Sequence, residues 1–466
     1  MELNFGRVKN LPDEEQRQLN ELVKIWRNHK SANRKKRRYY NGDITLAEVN
    51  LGIALPSRIG KLEIGCAWGA KTVDVLAGRS IFDGFVSGQG KDVDTMTVIM
   101  KRNRFIAEYN KACKEELKYG CSFAAISGDK GAAKIRFHTP HCAAGKWNDE
   151  KGRLDCGFAF ADLREDELDI NWSPDEVAFY TENAIWILKK DGGWTAEGSP
   201  HEFGKPMIVP LVWDATNDKP FGQSRIKGTV RRFIEGYVRT LANAAIALEF
   251  ATSPQKYILG VTDEQFDALT ESKFKQYVGS ILTTTGNPET GTNPTFGQLQ
   301  QGSLEPAVQM LRMLATQYSA ATGLPITDTG VINDANPTSS DAILAQTQTL
   351  VQLATQLNED NGNALNEIAL MAQAVELGTT PDALPEENKD IVAHFKNPAL
   401  PNVASTADAA VKIVTSRPEF SNTDVFLEML GFSQADIRRI KAQEQRVRGQ
   451  KVLMEIDNDN IKKGLE

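Results

Sequence analysis

The sequence predicts an α+β fold, and three observations point to it. Apolar residues recur at helical spacing near both ends of the chain and in its middle. Residues 121–212 instead carry short apolar runs separated by glycine-rich or charged turns, such as Asp191-Gly192-Gly193. The length of 466 residues fits roughly three domains or one fold of several parts.

The N-terminal part is predicted to contain three helices and then six strands. The first helix spans residues 12–40 and ends at the turn signal Asn41-Gly42. The second lies near residues 62–77, and the third spans residues 94–119. The predicted strands are residues 121–127, 134–138, 157–160, 176–180, 184–189 and 206–212.

The central part is predicted as two helices with an insert between them. The first helix spans residues 224–252, where Ser253-Pro254 ends it, and the second spans residues 304–321. A loop rich in helix breakers follows at residues 323–336. The insert is predicted as a strand, a helix and two further strands, at residues 256–259, 263–277, 280–284 and 295–299.

The C-terminal part begins with a long helix. Asn336-Pro337 predicts its N-terminus, and Gly362 is its natural kink point before it ends near residue 377. A proline-rich linker at residues 381–401 and several short helices are predicted to follow. Ser433 and Asp436 form a pair like a capping box at the start of one of them.

Composition narrows the classes of function. No apolar run approaches the roughly 20 residues of a membrane span. The polar N-terminus predicts no signal peptide and therefore synthesis in the cytosol. The five cysteines include no CxxC pair, which argues against a disulfide framework.

Charge is distributed unevenly along the chain. The net charge is −7, yet residues 1–40 carry eleven basic and five acidic residues. Residues 313–388 contain ten acidic residues and no Lys or Arg. A protein that grips DNA carries a basic footprint, which most of this chain lacks. The basic run at residues 34–38 is interpreted as a subunit interface or a solvated surface, with DNA contact as the lesser alternative.

Arg225, Arg232 and Arg239 recur every seven residues and are predicted to share one face of the first central helix. They either line a channel, pair with carboxylates of a neighbouring subunit, or form a plain solvated face. Inter-subunit pairing is favoured because Glu235 and Glu249 lie on the same helix.

Enzyme and metal sites find little support. Lys71 and Thr72 follow a glycine-containing segment that resembles a phosphate-binding loop, but Ala70 replaces the glycine that such a loop needs before its lysine. A zinc site would have to combine four residues whose spacing matches no standard site, namely His138, His141, Cys142 and Cys156. No catalytic residue, cofactor or metal is therefore predicted. A nucleotide-dependent enzyme that uses Lys71 and Thr72 is one competing function.

The order of the segments resembles that of phage portal proteins, in particular those of siphophages of Gram-positive hosts. The segments that carry the resemblance are YYNG (39–42), WGAKTVDVLAGRSIFDGF (68–85), FGQS (221–224), ATSPQ (251–255), TGLP (322–325), NPTSSDAI (336–343) and LGFS (430–433). Their order extends over almost the whole chain. The competing structural function is another minor virion protein, which would lack the helix–insert–helix arrangement.

The resemblance implies a portal fold that forms a ring. It implies a wing at residues 1–222, stem helices at 223–252 and 303–322, and a clip at 253–302. It further implies a tunnel-loop region at residues 323–337, a long kinked helix with a return to the wing at 338–400, and a helical crown at 401–466.

The resemblance also implies partners and a location. Such rings are dodecamers at one capsid vertex of the virion, assembled in the host cytoplasm, through which double-stranded DNA is packaged and ejected. The partners are the large terminase, the head-completion or adaptor proteins, and the major capsid and scaffolding proteins; no membrane is involved. The clip residues assigned to docking are Lys256, Tyr257, Lys273 and Lys275.

A translocation channel must surround DNA without holding it. Each phosphate that a fixed cation neutralises adds affinity, and a ring repeats every such contact in each subunit. Five residues are assigned to the tunnel loop and the DNA channel, and none of them is a cation. They are Thr327, Asp328, Asn333, Asp334 and Asn336. They are expected to give a polar, weakly repulsive lining, with an acidic solvated surface as the alternative for residues 313–388.

Overall fold

The computed structural model of the chain describes residues 3–44, 64–87, 94–160, 174–252, 256–260, 262, 291, 293, 295–298, 303–331, 340–399 and 403–463. The helices of four or more residues in this part are α1 Asp13–Asn41, α2 Trp68–Ala77, α3 Asp94–Asn103, α4 Phe105–Tyr119, α5 Gly228–Thr252, α6 Glu305–Thr322, α7 Ser340–Leu377, α8 Glu386–Lys389, α9 Val403–Ser416, α10 Asp424–Met429 and α11 Gln434–Lys463. The strands are β1 Phe82–Val86, β2 Cys121–Ser127, β3 Lys134–His138, β4 Ala143–Asn148, β5 Arg153–Phe160, β6 Glu176–Tyr180, β7 Ala184–Lys190, β8 Trp194–Pro200, β9 Ile208–Val212, β10 Lys256–Leu259, β11 Thr295–Gln298 and β12 Val392–Phe395.

The predicted α+β class is confirmed. The strands form a five-stranded antiparallel sheet in the order β4-β5-β6-β7-β8 and a three-stranded sheet in the order β3-β2-β9. Two further pairs, β1-β12 and β10-β11, are also antiparallel. The six predicted strands are present, but β1, β4, β8 and β12 were not predicted.

Two apolar cores support these layers. The larger core joins α2, α4, β2, β9, α5, α6 and α7, with Leu76, Tyr109 and Leu365 fully buried. The smaller core packs the N-terminal segment and the first turns of α1 against the five-stranded sheet, with Leu19, Leu22 and Phe158 fully buried. The five-stranded sheet therefore attaches to the rest of the described chain partly through α1.

Several predicted boundaries were wrong. The predicted helix over residues 94–119 is two helices, because Arg104 adopts a left-handed conformation with φ 49° between them. The proline-rich segment 381–401 is no simple linker, since β12 pairs with β1 across more than 300 residues of sequence. The last helix, α11, is 30 residues long where short helices were expected.

The insert is described only in part. Strands β10 and β11 occupy its two ends and pair in register from Lys256↔Gln298 to Leu259↔Thr295, close to the predicted ranges. The predicted helix 263–277 and strand 280–284 lie outside the described residues, as does the predicted N-cap of the long helix at Asn336-Pro337.

At two positions in the segments quoted above, close packing of the backbone requires glycine. A Cβ atom on Gly69 would lie 1.9 Å from the carbonyl oxygen of Tyr39, because α2 crosses the end of α1 there. Gly222 has φ +66°, and a Cβ atom on it would lie 2.0 Å from the carbonyl oxygen of Trp213. No other residue fits either position without a backbone shift.

Candidate functional site

Helices α5 and α6 form a pair that runs from the body of the fold to the insert. Because β10 and β11 pair directly beyond them, the end of α5 lies near the start of α6, and the helices run in opposite directions. Leu314 of α6 lies close enough to Gly236 of α5 that a Cβ atom there would be 3.4 Å from its side chain. Leu314 is buried at this contact. The predicted helix–insert–helix arrangement is therefore present.

An aromatic stack fixes the pair to α2. The ring of Trp68, at the start of α2, stacks on Tyr318 of α6 with a centroid distance of 4.5 Å and an interplanar angle of 20°. The same indole ring also contacts the ring of Tyr237 on α5, with a centroid distance of 4.4 Å. One indole ring thus touches both helices of the pair.

Hydrogen bonds complete this contact. The Tyr318 hydroxyl donates to the carbonyl oxygen of Trp68 at 2.8 Å, and it lies 2.8 Å from the hydroxyl of Thr72. Thr72 is fully buried and also donates to the carbonyl oxygen of Trp68. A buried hydroxyl committed to these partners cannot act as a phosphate or magnesium ligand, so the nucleotide hypothesis built on Lys71 and Thr72 loses its structural basis.

Arg225 occupies a different place from the one predicted. Helix α5 begins at Gly228, so Arg225 precedes it and is not on a helix face with Arg232 and Arg239. Its side chain is 9% exposed and donates from Nε to the Thr72 carbonyl oxygen at 3.0 Å and from Nη2 to the Thr322 carbonyl oxygen at 2.7 Å. Burial lowers the pKa of Arg225 to about 10, so it remains a cation at neutral pH. The guanidinium therefore joins α2 to the last residue of α6.

The loop after α6 starts from this junction. Trp68 donates from its indole Nε1 to the carbonyl oxygen of Thr329 at 3.0 Å. Thr329 ends a short 3-10 turn, Ile326–Thr329, in which Thr327 is exposed and Asp328 is half-buried. The other channel candidates, Asn333, Asp334 and Asn336, lie outside the described residues. The structure thus brings the base of the loop to the aromatic stack.

The two remaining arginines of the predicted face are exposed. Arg232 and Arg239 lie two turns apart on α5, and both side chains are exposed. Glu235, on the same helix, instead faces α1, where its carboxylate accepts a hydrogen bond from the Tyr39 hydroxyl. Glu235 is therefore engaged within the chain, while the side chain of Glu249 lies outside the description.

The acidic segment after α6 is neither wholly a channel wall nor wholly a solvated surface. The C-terminal half of α7 is core, with Leu365, Ile368 and Ala372 fully buried. Its carboxylates pair within the chain: Glu367 with Lys205 at 2.8 Å, and Glu376 with Arg102 at 2.7 Å. The C-terminal half of α7 is therefore part of the interior of the fold.

Of the docking candidates in the insert, Tyr257 is 41% exposed on β10, next to Lys256. Lys273 and Lys275 lie outside the described residues. Within the described ranges, no group of three or more His, Cys, Asp and Glu side chains is placed to hold a metal ion. The five cysteines are buried and unpaired. No described helix is long and apolar enough to cross a membrane.

The residues at the junction that sequence reasoning missed are Trp68, Tyr237, Tyr318 and Thr329. Trp68 begins one of the segments that carry the resemblance, but no role was predicted for it. No local signal could pair Trp68 with Tyr318, which is 250 residues away.

Comparisons with known proteins place the chain. A family model described as "Phage portal protein, SPP1 Gp6-like" matches residues 19–450. No curated protein sequence gives a significant match. Among solved structures, a chain of the neck of a native gene transfer agent (GTA) particle, computed with C12 symmetry, aligns with a TM-score of 0.46 and 11% identity over 78% of this chain and 89% of that chain.

Two further solved structures are similar at the same level. One is a chain of the virion of a native GTA particle, with a TM-score of 0.43 and 12% identity over 75% of this chain and 84% of that chain. The other is a chain of the neck of an empty GTA particle computed with C6 symmetry, with a TM-score of 0.45 and 11% identity over 78% and 90%. The family match covers the stack, the helix pair and the insert, and on it the chain belongs to the SPP1 Gp6-like phage portal protein family.

Proposed function

We propose that twelve copies of this chain form a ring at one vertex of a phage capsid, and that double-stranded DNA is packaged and ejected through its central channel. The family match supports a portal role, and the paired helices α5 and α6 supply the part that can stand side by side in a circle. In this proposal α5 and α6 are the stem, the insert 253–302 is the clip, and residues 1–222 form most of the wing. Residues 401–466 form the crown, which faces the capsid interior.

The observation that carries the proposal is the junction at Trp68. One side chain contacts both helices of the pair and binds the base of the loop that follows them. A loop held in this way starts at a fixed height beside the helix pair, and every copy in a ring would present it at the same level. Such a constriction suits a channel whose wall must follow DNA without binding it tightly.

The charges of the proposed lining fit this requirement. Asp328, Asn333, Asp334 and Asn336 provide polar and acidic groups, and residues 313–388 provide no cation. A duplex in the channel would therefore make no fixed ion pair with the loop, and counterion release would contribute little affinity there. Arg232 and Arg239, exposed on α5, are assigned to ion pairs between neighbouring stems.

Docking is assigned to the clip. Tyr257 is a large exposed side chain near the base of the insert, a type of residue that commonly anchors protein interfaces. With Lys256, Lys273 and Lys275 it would contact the large terminase during packaging and the head-completion proteins afterwards. The terminase, and not this chain, would supply the ATPase, so the role proposed here is structural. Scaffolding and major capsid proteins would contact the wing during assembly.

Electron microscopy of particles made by co-expression with the capsid and scaffolding proteins tests the proposal. Rings of this chain at one vertex, with a hole about as wide as duplex DNA, are expected. Symmetry averaging of the same images gives the number of subunits. Heads that package DNA normally without this chain, or that carry it away from the DNA entry vertex, would overturn the proposal.

A further inference from the structure

A cavity lies at the start of α5. It has a volume of about 410 Å³, within the range of small-molecule sites, and lies between α1, the sheets and the segment that leads into α5. Its walls are largely apolar and include Trp26, Phe123, Phe221 and Ile226. This volume and composition suit a ligand with a flat apolar body.

The charged groups around this cavity have one sign. Its lining includes Lys36, Lys227 and Arg231 and contains no Asp or Glu. Lys36 donates to the Tyr119 carbonyl oxygen at 2.7 Å, and Lys227 pairs with Asp214 at 2.7 Å. Arg231 lies over the ring of Tyr39 at 5.8 Å, and no carboxylate of a described residue pairs with it.

The cations that line the cavity also repel one another. The pKa of Lys36 is lowered, first by burial and further by the nearby charge of Arg231. An anion between the two would relieve that repulsion. The pKa of His29, which lines the same cavity, is lowered by burial and by Lys36, so it is neutral at pH 7 and can donate a hydrogen bond.

Two donors in the cavity lack partners within the fold. Asn33 is 5% exposed and lines the cavity, yet its side chain has no hydrogen bond to any described residue. The first backbone N–H groups of the 25-residue helix α5 begin at Gly228, which also lines the cavity, and helix N-termini attract anions. A ligand in the cavity could hydrogen-bond the Asn33 amide and these N–H groups.

We propose that this cavity binds a small organic anion, a phosphate ester or carboxylate with a flat apolar body. The anionic group lies between Arg231, Lys36 and the N-terminus of α5, Asn33 hydrogen-bonds it, and Trp26 and Phe123 cover the apolar part. A ligand there connects α1 to the start of the first stem helix.

Fluorescence titration of the full-length protein with 8-anilino-1-naphthalenesulfonate, an aromatic anion, tests the site. The wild type is expected to bind one dye per chain, and Arg231→Gln to weaken binding about tenfold, as loss of one charge-assisted contact does. Lys24→Gln removes an exposed cation of α1 outside the cavity and is expected to leave the affinity unchanged. Competition then identifies the anionic group: displacement by adenosine monophosphate assigns a phosphate ester, and displacement by benzoate a carboxylate.

A second variant covers the case in which Arg231→Gln does not fold. Asn33→Asp is nearly isosteric and places a negative charge in the cavity, so it is expected to abolish dye binding while far-UV circular dichroism stays that of the wild type. Two results would overturn the proposal. The first is that Arg231→Gln or Asn33→Asp binds the dye with the same affinity as the wild type and Lys24→Gln. The second is that the wild type binds the neutral dye N-phenyl-1-naphthylamine as tightly as the anionic dye.

Discussion

Trp68 and Thr329 are 261 residues apart in the sequence, and the indole Nε1 of Trp68 donates a 3.0 Å hydrogen bond to the Thr329 carbonyl oxygen. The bond is buried and closes the short turn that leads from α6 into the proposed tunnel loop. Since the same indole ring stacks on Tyr318, a displacement of α6 would carry the base of the loop with it. The loop and α6 thus share one anchoring side chain.

Replacing Trp68 by Phe keeps an aromatic ring but removes the N–H donor. The buried Thr329 carbonyl would lose its partner, and a loss of about 1–3 kcal/mol in the free energy of unfolding is expected. Urea denaturation at one fixed protein concentration measures this loss. Trp186→Phe is the matched control, because the Nε1 of Trp186 is buried without a partner among the described residues, so its removal breaks no such bond. Equal losses in the two variants would contradict the role given to the Trp68 hydrogen bond.

Replacing Arg225 by Lys separates charge from geometry. A lysine keeps the cation but cannot reach both the Thr72 and Thr322 carbonyl oxygens with a planar fork. One buried carbonyl is left unpaired, and a loss of about 2–4 kcal/mol in the free energy of unfolding is expected. Arg17→Lys, at an exposed site on α1, is the control and should change this free energy by less than about 0.5 kcal/mol. An Arg225→Lys variant as stable as the wild type would show that the two bonds contribute little.

The sequence indicated elements with strong local patterns far better than contacts between them. The predicted helix 12–40 and the strands 121–127 and 134–138 match the structure within one residue, because each carries a clear period of its own. The break at Arg104 has no local signal, since a left-handed residue is usually Gly or Asn. Strand β12 follows a proline-rich stretch and exists because β1 pairs with it.

In the candidate site, too, the order of the elements could be predicted, but the contacts of single residues could not. The helix–insert–helix order could be predicted, because it needs only periodicity and breakers. The role of Arg225 could not, since its seven-residue spacing from Arg232 indicates a shared helix face only if all residues between them are helical. The residues between Arg225 and Gly228 are not helical, and this places Arg225 in the core instead.

Glu116 makes the stability of the fold depend on pH. This carboxyl on α4 is fully buried, accepts a hydrogen bond from Asn361 of α7 at 2.9 Å, and leaves its Oε1 without a partner among the described residues. Burial raises its pKa from 4.5 to about 8. Between these values the folded chain keeps a proton that the unfolded chain has lost, so the free energy of unfolding falls as pH rises. Below 4.5 both states are protonated, and above about 8 both are ionised, so the slope disappears.

Glu116→Gln removes this titration. The free energy of unfolding of the variant minus that of the wild type should increase on the order of 1 kcal/mol per pH unit from about 4.5 to about 8. Taking the difference cancels the opposite trend from His138 and His141, whose pKa values burial lowers to about 4. Urea denaturation in a series of buffers measures it. A constant difference would show that Glu116 is ionised across this range.

The exposed cations of α5 are expected to affect assembly and not folding. If Arg232 and Arg239 pair with carboxylates of the neighbouring stem, replacing both by Gln should shift the ring-to-monomer equilibrium toward monomer, and the shift should shrink at high salt. Analytical ultracentrifugation at two salt concentrations measures the ring fraction. Replacing Lys111 and Lys189 by Gln, two exposed cations of the wing, is the control. Unchanged rings that bind free duplex DNA less tightly would instead assign the two arginines to the channel wall.

The lining hypothesis makes its sharpest prediction at Asp334. Asp334→Lys would place one cation per subunit in the proposed loop, and twelve copies would surround the DNA with a band of fixed positive charge. The duplex would then be held by phosphate contacts and packaging should slow, most strongly at low salt, because the affinity gained by counterion release falls as salt rises. Asp334→Asn removes the acid without adding a cation and should package close to the wild-type rate. The measurement is the rate at which DNA becomes nuclease-resistant inside heads, at two salt concentrations, with ring formation checked by electron microscopy. Intact Asp334→Lys rings that fill heads at the wild-type rate in low salt would remove residue 334 from the wall of the channel.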